Sequence, residues 1–210
     1  MTTRDPIHPE LEAVEIHGMN RASFLLKGVL GAGALLGASA VTPFVSNALA
    51  ASGSSDVDIL NFALTLEYLE TDFYQSKGKQ LGLSGEAKSY ARSFGAEEAE
   101  HVTALTKAIR AAGGTPVKKP TFAFPVSDQK SFLKLAYTLE NVGVGAYNGA
   151  GPSLKSKELL IAAGEIVQVE ARHAATVAVI THRAITPHGA FDKALTKHQV
   201  LAKAGPLIKR

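Results

Sequence analysis

Two short stretches carry the chemistry this chain could perform. Glu98-Ala99-Glu100-His101 and Glu170-Ala171-Arg172-His173 each set a glutamate and a histidine three residues apart. On a helix, positions i and i+3 share a face about one turn apart, so a carboxylate and an imidazole at that spacing can bind one metal ion. A single copy is weak evidence. With ten glutamates and five histidines after residue 50, about a third of a match is expected by chance. The recurrence is informative, as is the glutamate upstream of each copy. Glu67 lies in Thr65-Leu66-Glu67 and Glu140 in Thr138-Leu139-Glu140, and each is followed seven residues later by a tyrosine, Tyr74 and Tyr147. Glu67 and Glu140 are 73 residues apart, Glu98 and Glu170 are 72 apart, and so are His101 and His173. Residues 56–112 are therefore repeated, in pattern more than in identity, over 129–182. Two helix pairs would supply four carboxylates and two imidazoles, the ligand set of a dinuclear carboxylate site held between four helices.

The elements that must position these residues can be read from apolar periodicity and its breaks. Ala51 to Ser55 reads as a small polar linker. Ser55 or Asp56 can cap a first helix with Val57, Ile59, Leu60, Ala63, Leu64, Leu66, Tyr68 and Leu69 on its apolar positions, ending near Ser76 and stopped by Gly78. Glu67 sits mid-helix in this company; Glu70 and Asp72 read as surface charges. A second helix is expected from Glu86 to Ala112, with Phe94, Val102, Leu105 and Ile109 beside Glu98 and His101, stopped by Gly113-Gly114. Glu97 and Glu100 are expected at the solvent side, with Glu97 able to support a ligand by hydrogen bonding. Residues 113–127 hold three prolines and no period. Extended, they reach about 50 Å, enough to cross from one end of a bundle to the other. Phe122 and Phe124 are expected to pin this crossover. Ser127 or Asp128 caps a third helix, in which Gly143, Gly145, Gly149 and Gly151 permit either close backbone packing or a local bulge. Pro152 ends or kinks it. A fourth helix is expected over Ser156–Ala184, and a short basic one over Phe191–Lys203, packed by Phe191, Leu195, Val200 and Leu201. His182, His188 and His198 read as surface residues, because no carboxylate stands at ligand spacing. The fold class is all-α: a four-helix bundle over 51–186 with a long crossover between helices two and three, and a short C-terminal helix and tail over 187–210.

Residues 1–50 differ from the rest. Arg21 and Lys27 precede an apolar, Gly/Ala-rich run from Gly28 to Ala40, and Ala48-Leu49-Ala50 closes the segment. These are the three parts of a signal peptide. Asn20-Arg21-Ala22-Ser23-Phe24-Leu25-Leu26-Lys27 is similar to a twin-arginine export signal, except that Ala22 stands where the second arginine would be. The expected location is periplasmic or extracellular after cleavage; the alternative is a membrane anchor, for which the Gly, Ser and Pro content of 28–46 is poor. The whole chain has 210 residues, is 46% hydrophobic and 20% charged, and carries a net charge of +3. That composition suits a packed core, and so small an excess, without an arginine stripe, gives no argument for nucleic acid as a partner. With no cysteine, disulfides, thiolate metal sites and cysteine nucleophiles are excluded.

The chain resembles the ferritin-like superfamily, and most of all its exported, desiccation-related branch. The resemblance rests on Asn61-Phe62-Ala63-Leu64-Thr65-Leu66-Glu67-Tyr68-Leu69-Glu70, Glu97-Glu98-Ala99-Glu100-His101, Leu139-Glu140-Asn141-Val142-Gly143-Val144-Gly145-Ala146-Tyr147 and Val169-Glu170-Ala171-Arg172-His173. It covers about residues 56–184. It implies a ferritin-like four-helix bundle holding two iron ions, or alternatively manganese, on Glu67, Glu98, His101, Glu140, Glu170 and His173. It does not select one reaction, because such folds store iron, reduce or disproportionate peroxide, or activate oxygen.

Oxygen-rich ligands with two imidazoles suit iron or manganese. Each metal is expected to take one Glu-x-x-His pair, with Glu67 and Glu140 completing or bridging the site. Two adjacent cations can bind the two oxygens of peroxide or dioxygen. Tyr74 and Tyr147 either hydrogen-bond the ligands, supply an electron, or are ordinary buried tyrosines with satisfied hydroxyls. The leading functional expectation is an exported dinuclear protein that consumes peroxide or oxygen, or oxidises ferrous iron, in stress protection. The alternative is a non-enzymatic bundle that stabilises the envelope during drying or sequesters metal; a storage cage ranks third. Expected partners are metal ions and peroxide or dioxygen, with the membrane involved only through export or an uncleaved signal, and a homodimer as the oligomer allowed for.

Overall fold

The computed structural model describes residues 55–209; the expected signal peptide and most of the linker after it lie outside the described residues. Helix α1 (Asp56–Asp72) starts at Ser55, whose hydroxyl accepts from the Asp58 N–H while the Asp58 carboxylate accepts from the Ser55 N–H, both at 3.1 Å. This reciprocal cap pairs two amides near the start of the helix. The helix does not end near Ser76. It widens into a π-helical turn over Phe73–Lys77, where the Gly78 N–H reaches the Phe73 carbonyl, and closes with a last α turn, Gly78–Gln80. Gly78 keeps right-handed helical angles, and a Cβ there would touch Leu83 and Phe132 at 3.4 Å. Its smallness serves packing, and the true stop is Gly82, with φ +61°. The π turn swells toward Gly95 of the next helix, where a Cβ would stand 2.9 Å from Gln75 Cγ and 3.0 Å from Tyr74 Cβ.

Helix α2 (Gly85–Ala111) ends as expected at Gly113, whose φ of +78° lets Gly114 N–H bond back to the Ile109 carbonyl at 2.9 Å. The crossover follows, clamped at its start by Asn61, which donates to the Thr115 carbonyl (3.1 Å) and accepts from the Val117 N–H (2.8 Å). Phe122 is buried and Phe124 half-buried, and Phe124 stands edge-on to Phe73 at 5.2 Å, so these rings do pin the crossover. Asp72, a surface residue as expected, pairs with Lys119 at 2.6 Å. A two-residue ladder was not foreseen: β1 (Thr121–Phe122) pairs antiparallel with β2 (Ile208–Lys209) at the end of the chain.

Helix α3 (Gln129–Ala150) opens on a reciprocal cap between Asp128 and Ser131, and passes through a single 3-10 turn (Gly151–Ser153). Helix α4 (Lys157–Ile180) is capped by Ser156, and the Asp56 carboxylate of α1 accepts from the N–H groups of Lys155 and Ser156, each at 2.9 Å. Helix α4 stops four residues before the expected Ala184. His182 takes the left-handed conformation (φ +53°), and Arg183 N–H returns to the Ala178 carbonyl at 2.9 Å. The tail helix also differs from expectation. Helix α5 (Lys197–Ala204) begins at Thr196, reciprocally capped by Gln199, and Phe191 is 72% exposed instead of packed. The residues before α5 form a strap across α3. Leu195 N–H donates to the Gly145 carbonyl at 2.8 Å, and its side chain and backbone lie against Gly145 and Gly149. The glycines of α3 therefore serve close packing.

Helix α1 packs chiefly on α2, and α3 on α4. Two apolar clusters form the core, one around Phe73, Phe94, Phe132 and Leu139, the other around Ile59, Leu64, Ile109 and Ile166. The Glu-x-x-His pairs fall between residues of these clusters along α2 and α4. A polar layer is thus sealed between two apolar ones. No helix among the described residues is long and apolar enough to cross a membrane.

Candidate metal centre

All six residues singled out by spacing meet in that layer. Glu67, Glu98, Glu140 and Glu170 are fully buried, His173 is 2% exposed and His101 9%. The sequence requires this: each lies on the apolar face of its helix, so burying the face buries the side chain. Ligand atoms of Glu67, Glu98, His101 and Glu170 lie within 4.8 Å of one another, and so do those of Glu98, Glu140 and His173. Glu98 joins the two groups: its Oε2 is 2.9 Å from His101 Nδ1 and its Oε1 is 2.8 Å from His173 Nδ1. Glu67 and Glu140 each lie beside one histidine, and Glu98 lies between the two. Glu67 Oε2 is 3.1 Å from His101 Nδ1, and Glu140 Oε2 is 3.5 Å from His173 Nδ1.

The tyrosines cross between hairpins. Tyr74, in the π turn that follows α1, donates to Glu140 of α3, and Tyr147 of α3 donates to Glu67 of α1 at 2.5 Å. Residues 67 and 74 thus face 147 and 140, so α1 and α3 run antiparallel about a pseudo-twofold axis. The axis is broken at two places. Glu97 Oε2 lies 2.5 Å from His173 Nε2, whereas the corresponding position behind His101 is Val169. A carboxylate on the outer nitrogen fixes the ring so that Nδ1 faces inward, the usual device for orienting a ligating histidine. Phe94 stacks on the same ring, with centroids 3.9 Å apart.

The second break corrects an expectation. Glu70 is not a surface charge: it is 3% exposed and turns into the polar layer. Its counterpart 73 residues on is Gly143, where a Cβ would collide with the Glu170 carboxylate and stand 3.4 Å from Glu70 Oε1. The available signal was local, since Glu70 follows Glu67 by three residues, as each histidine follows its glutamate. A cavity of about 470 Å³ between α2 and α4 reaches this layer, with Glu97, Glu100, His101, Arg172 and His173 in its lining. His182, His188 and His198 are exposed, as expected.

Burial decides the proton inventory. It pushes Glu67 up to about 8, and with neighbouring carboxylates it raises Glu70, Glu140 and Glu170. Burial also opposes charge on Glu98, but hydrogen bonds from His101 and His173 outweigh it and hold that carboxyl down at about 2. Burial disfavours the imidazolium forms too, yet the surrounding carboxylates raise His101 to about 12 and His173 to about 11. Without metal, the folded chain therefore holds more protons between pH 5 and 8 than the unfolded chain. Stability must fall as pH rises through this window, by about 1.4 kcal/mol per pH unit for each extra proton held. The Glu98 contribution is complete above pH 4.5 and does not alter the sign. Metal ions replace these protons, so their affinity rises with pH. Melting curves should show the chelated protein more stable at pH 5 than at pH 8, and added Mn²⁺ should reverse the order. A chelated protein that gains stability toward pH 8 contradicts this proton inventory.

The fit to metal can be judged from unpartnered atoms. Glu140 Oε2, both oxygens of Glu170 and Glu70 Oε2 are buried without a hydrogen bond, and Glu98 Oε1 and His173 Nδ1 have only each other, 2.8 Å apart. Buried polar atoms are normally satisfied, and these converge on one place with the donor set that iron and manganese accept. A family model described as a ferritin-like domain matches residues 55–183, a span containing every one of these groups. No curated protein matches the chain.

Proposed function

Because the chain belongs to the ferritin-like domain family, we propose that it is a dinuclear iron or manganese protein, exported to the periplasm or beyond, that handles peroxide, oxygen or ferrous iron in stress protection. The observation that carries this reading is the set of converging, unpartnered carboxylate oxygens between two inward-facing histidines. Glu67, Glu98, His101 and Glu170 would hold one ion, and Glu98, Glu140 and His173 the other. Such a pair, when bound, supplies one-electron redox steps and two adjacent positions for the oxygens of a small oxidant. The chain's own groups do the rest. Tyr74 and Tyr147 fix two carboxylates by donating to one oxygen of each. Glu97 holds the His173 ring and keeps a proton on its outer nitrogen. The apolar clusters on both sides exclude bulk water, and the cavity beside His101 admits small molecules.

A second reading is a non-enzymatic bundle protecting the envelope during drying, as the resemblance to the desiccation-related branch suggests. One observation favours it: His101 and His173 already pair with buried glutamates and can close the layer as an ion-pair network. Such a network would leave few oxygens unpaired, which is why the metal reading ranks first. The test is anaerobic loading of the full chain with Fe²⁺, followed by O₂ or H₂O₂ while ferrous loss and oxidant consumption are recorded. Two ions and oxidant consumption well above the free-iron control are expected. Two ions without turnover would support sequestration, and no bound metal would leave the structural bundle.

A further inference from the structure

We propose that the chain binds a small organic anion, an apolar body carrying a carboxylate, in a cavity between the π turn and the start of α2. The cavity measures about 610 Å³, a size common to small-molecule sites. Tyr74, Leu83 and Ala91, all buried, give it an apolar floor, and Lys79, Lys88 and Arg92, all exposed, stand in its lining. An adjoining cavity of about 420 Å³ shares Lys88 and Arg92 and adds Ser89. Neither lining contains an acidic residue, whereas the cavity beside His101 has two glutamates, Glu97 and Glu100. The local sequence builds this imbalance. Lys88 and Arg92 stand four residues apart on α2 and share a face, and the π turn with its last α turn brings Lys79 to the same corner. Among the described residues, no side chain pairs with any of the three. Like charges one turn apart repel, and an anion set between them removes that repulsion. An ammonium and a guanidinium hold a carboxylate through charge-assisted hydrogen bonds, while the floor takes up the apolar part. An inorganic anion would use the cations and leave the floor uncovered, so the cavity favours an organic one. The bound anion would lie beside Tyr74, whose hydroxyl donates to Glu140.

This cavity lies outside the metal centre, and the inference does not rest on the dinuclear reading. The test uses the full chain, isotope-labelled and kept chelated, so that no bound metal offers a carboxylate a second place. Benzoate is the probe; benzyl alcohol keeps the ring without the charge, and inorganic phosphate keeps the charge without the ring. Backbone amide shifts are followed in the unchanged chain, in Lys88→Gln/Arg92→Gln, and in Lys107→Gln/Arg110→Gln, which removes the same charge from the other end of α2. Saturable benzoate shifts centred on residues 78–92 are expected, with affinity about tenfold weaker in the first variant and unchanged in the second. Benzyl alcohol and phosphate should each bind the unchanged chain about tenfold more weakly than benzoate. Benzyl alcohol binding as tightly as benzoate would remove the cations from recognition, and phosphate binding as tightly would remove the floor; either overturns the proposal. So does the lack of a saturable benzoate shift at 78–92, or equal benzoate affinity in the two variants. If Lys88→Gln/Arg92→Gln does not fold, the comparison of the three probes in the unchanged chain decides alone.

Discussion

Replacing Glu98 and Glu170 together by alanine is expected to abolish metal uptake while the bundle stays folded. Glu98 offers one oxygen to each histidine group, and Glu170 joins Glu67 and His101 in the first. Their loss leaves each ion with one carboxylate and one imidazole. The metal-free fold should survive the change, because His101 keeps Glu67, and His173 keeps Glu97 and Glu140, as carboxylate partners. The metal-dependent stabilisation should vanish. At a free metal concentration of 100 times Kd, each ion stabilises the native state by about 2.7 kcal/mol, or about 5 kcal/mol for two. In a chain of this size that is on the order of 10–20 °C in Tm. The check is metal content per chain together with melting curves with and without chelator. Two ions retained in the double variant would remove these carboxylates from the centre.

The second large effect concerns two helix glycines and has opposite signs. In Gly149→Ala, the new methyl would run into the Leu195 backbone carbonyl, which cannot rotate away as a side-chain tip can. The strap must lift, or α3 must shift. An overpacked site of this kind costs about 3 kcal/mol, read as a lowered denaturant midpoint with the slope unchanged. In Gly164→Ala, on α4, the methyl meets nothing within 4 Å. There the gain in helix propensity should stabilise the chain by about 0.5–1 kcal/mol. Equal responses at the two positions would show that the strap does not press on α3.

The helices and six of the buried polar residues are legible in the sequence because two signals agree. Helical spacing puts Glu98 with His101 and Glu170 with His173, and the repeat doubles the pattern. Glu70 escapes because its meaning lies in a pair: only set beside Gly143, 73 residues later, does a carboxylate opposite a hollow become visible. Glu97 behind His173 is half legible, since its neighbour in sequence is a candidate ligand but its contact comes from another helix. The tail is misread for a different reason. The capping pair Thr196 and Gln199 marks the start of α5, whereas the apolar Phe191 draws the expected boundary too early. A two-residue ladder such as β1 with β2 has no period to detect, and Leu195 cannot be placed against Gly145 from sequence spacing.

Neither hairpin owns the centre. Each tyrosine reaches a glutamate of the other hairpin, and each histidine lies beside carboxylates of both. A fragment ending at residue 112 would carry three of the ligands and would need a second fragment to complete either group. The crossover therefore acts as a tether: it turns an encounter between two molecules into one within a single chain, at an effective concentration on the order of millimolar, so assembly of the centre does not depend on how dilute the protein becomes.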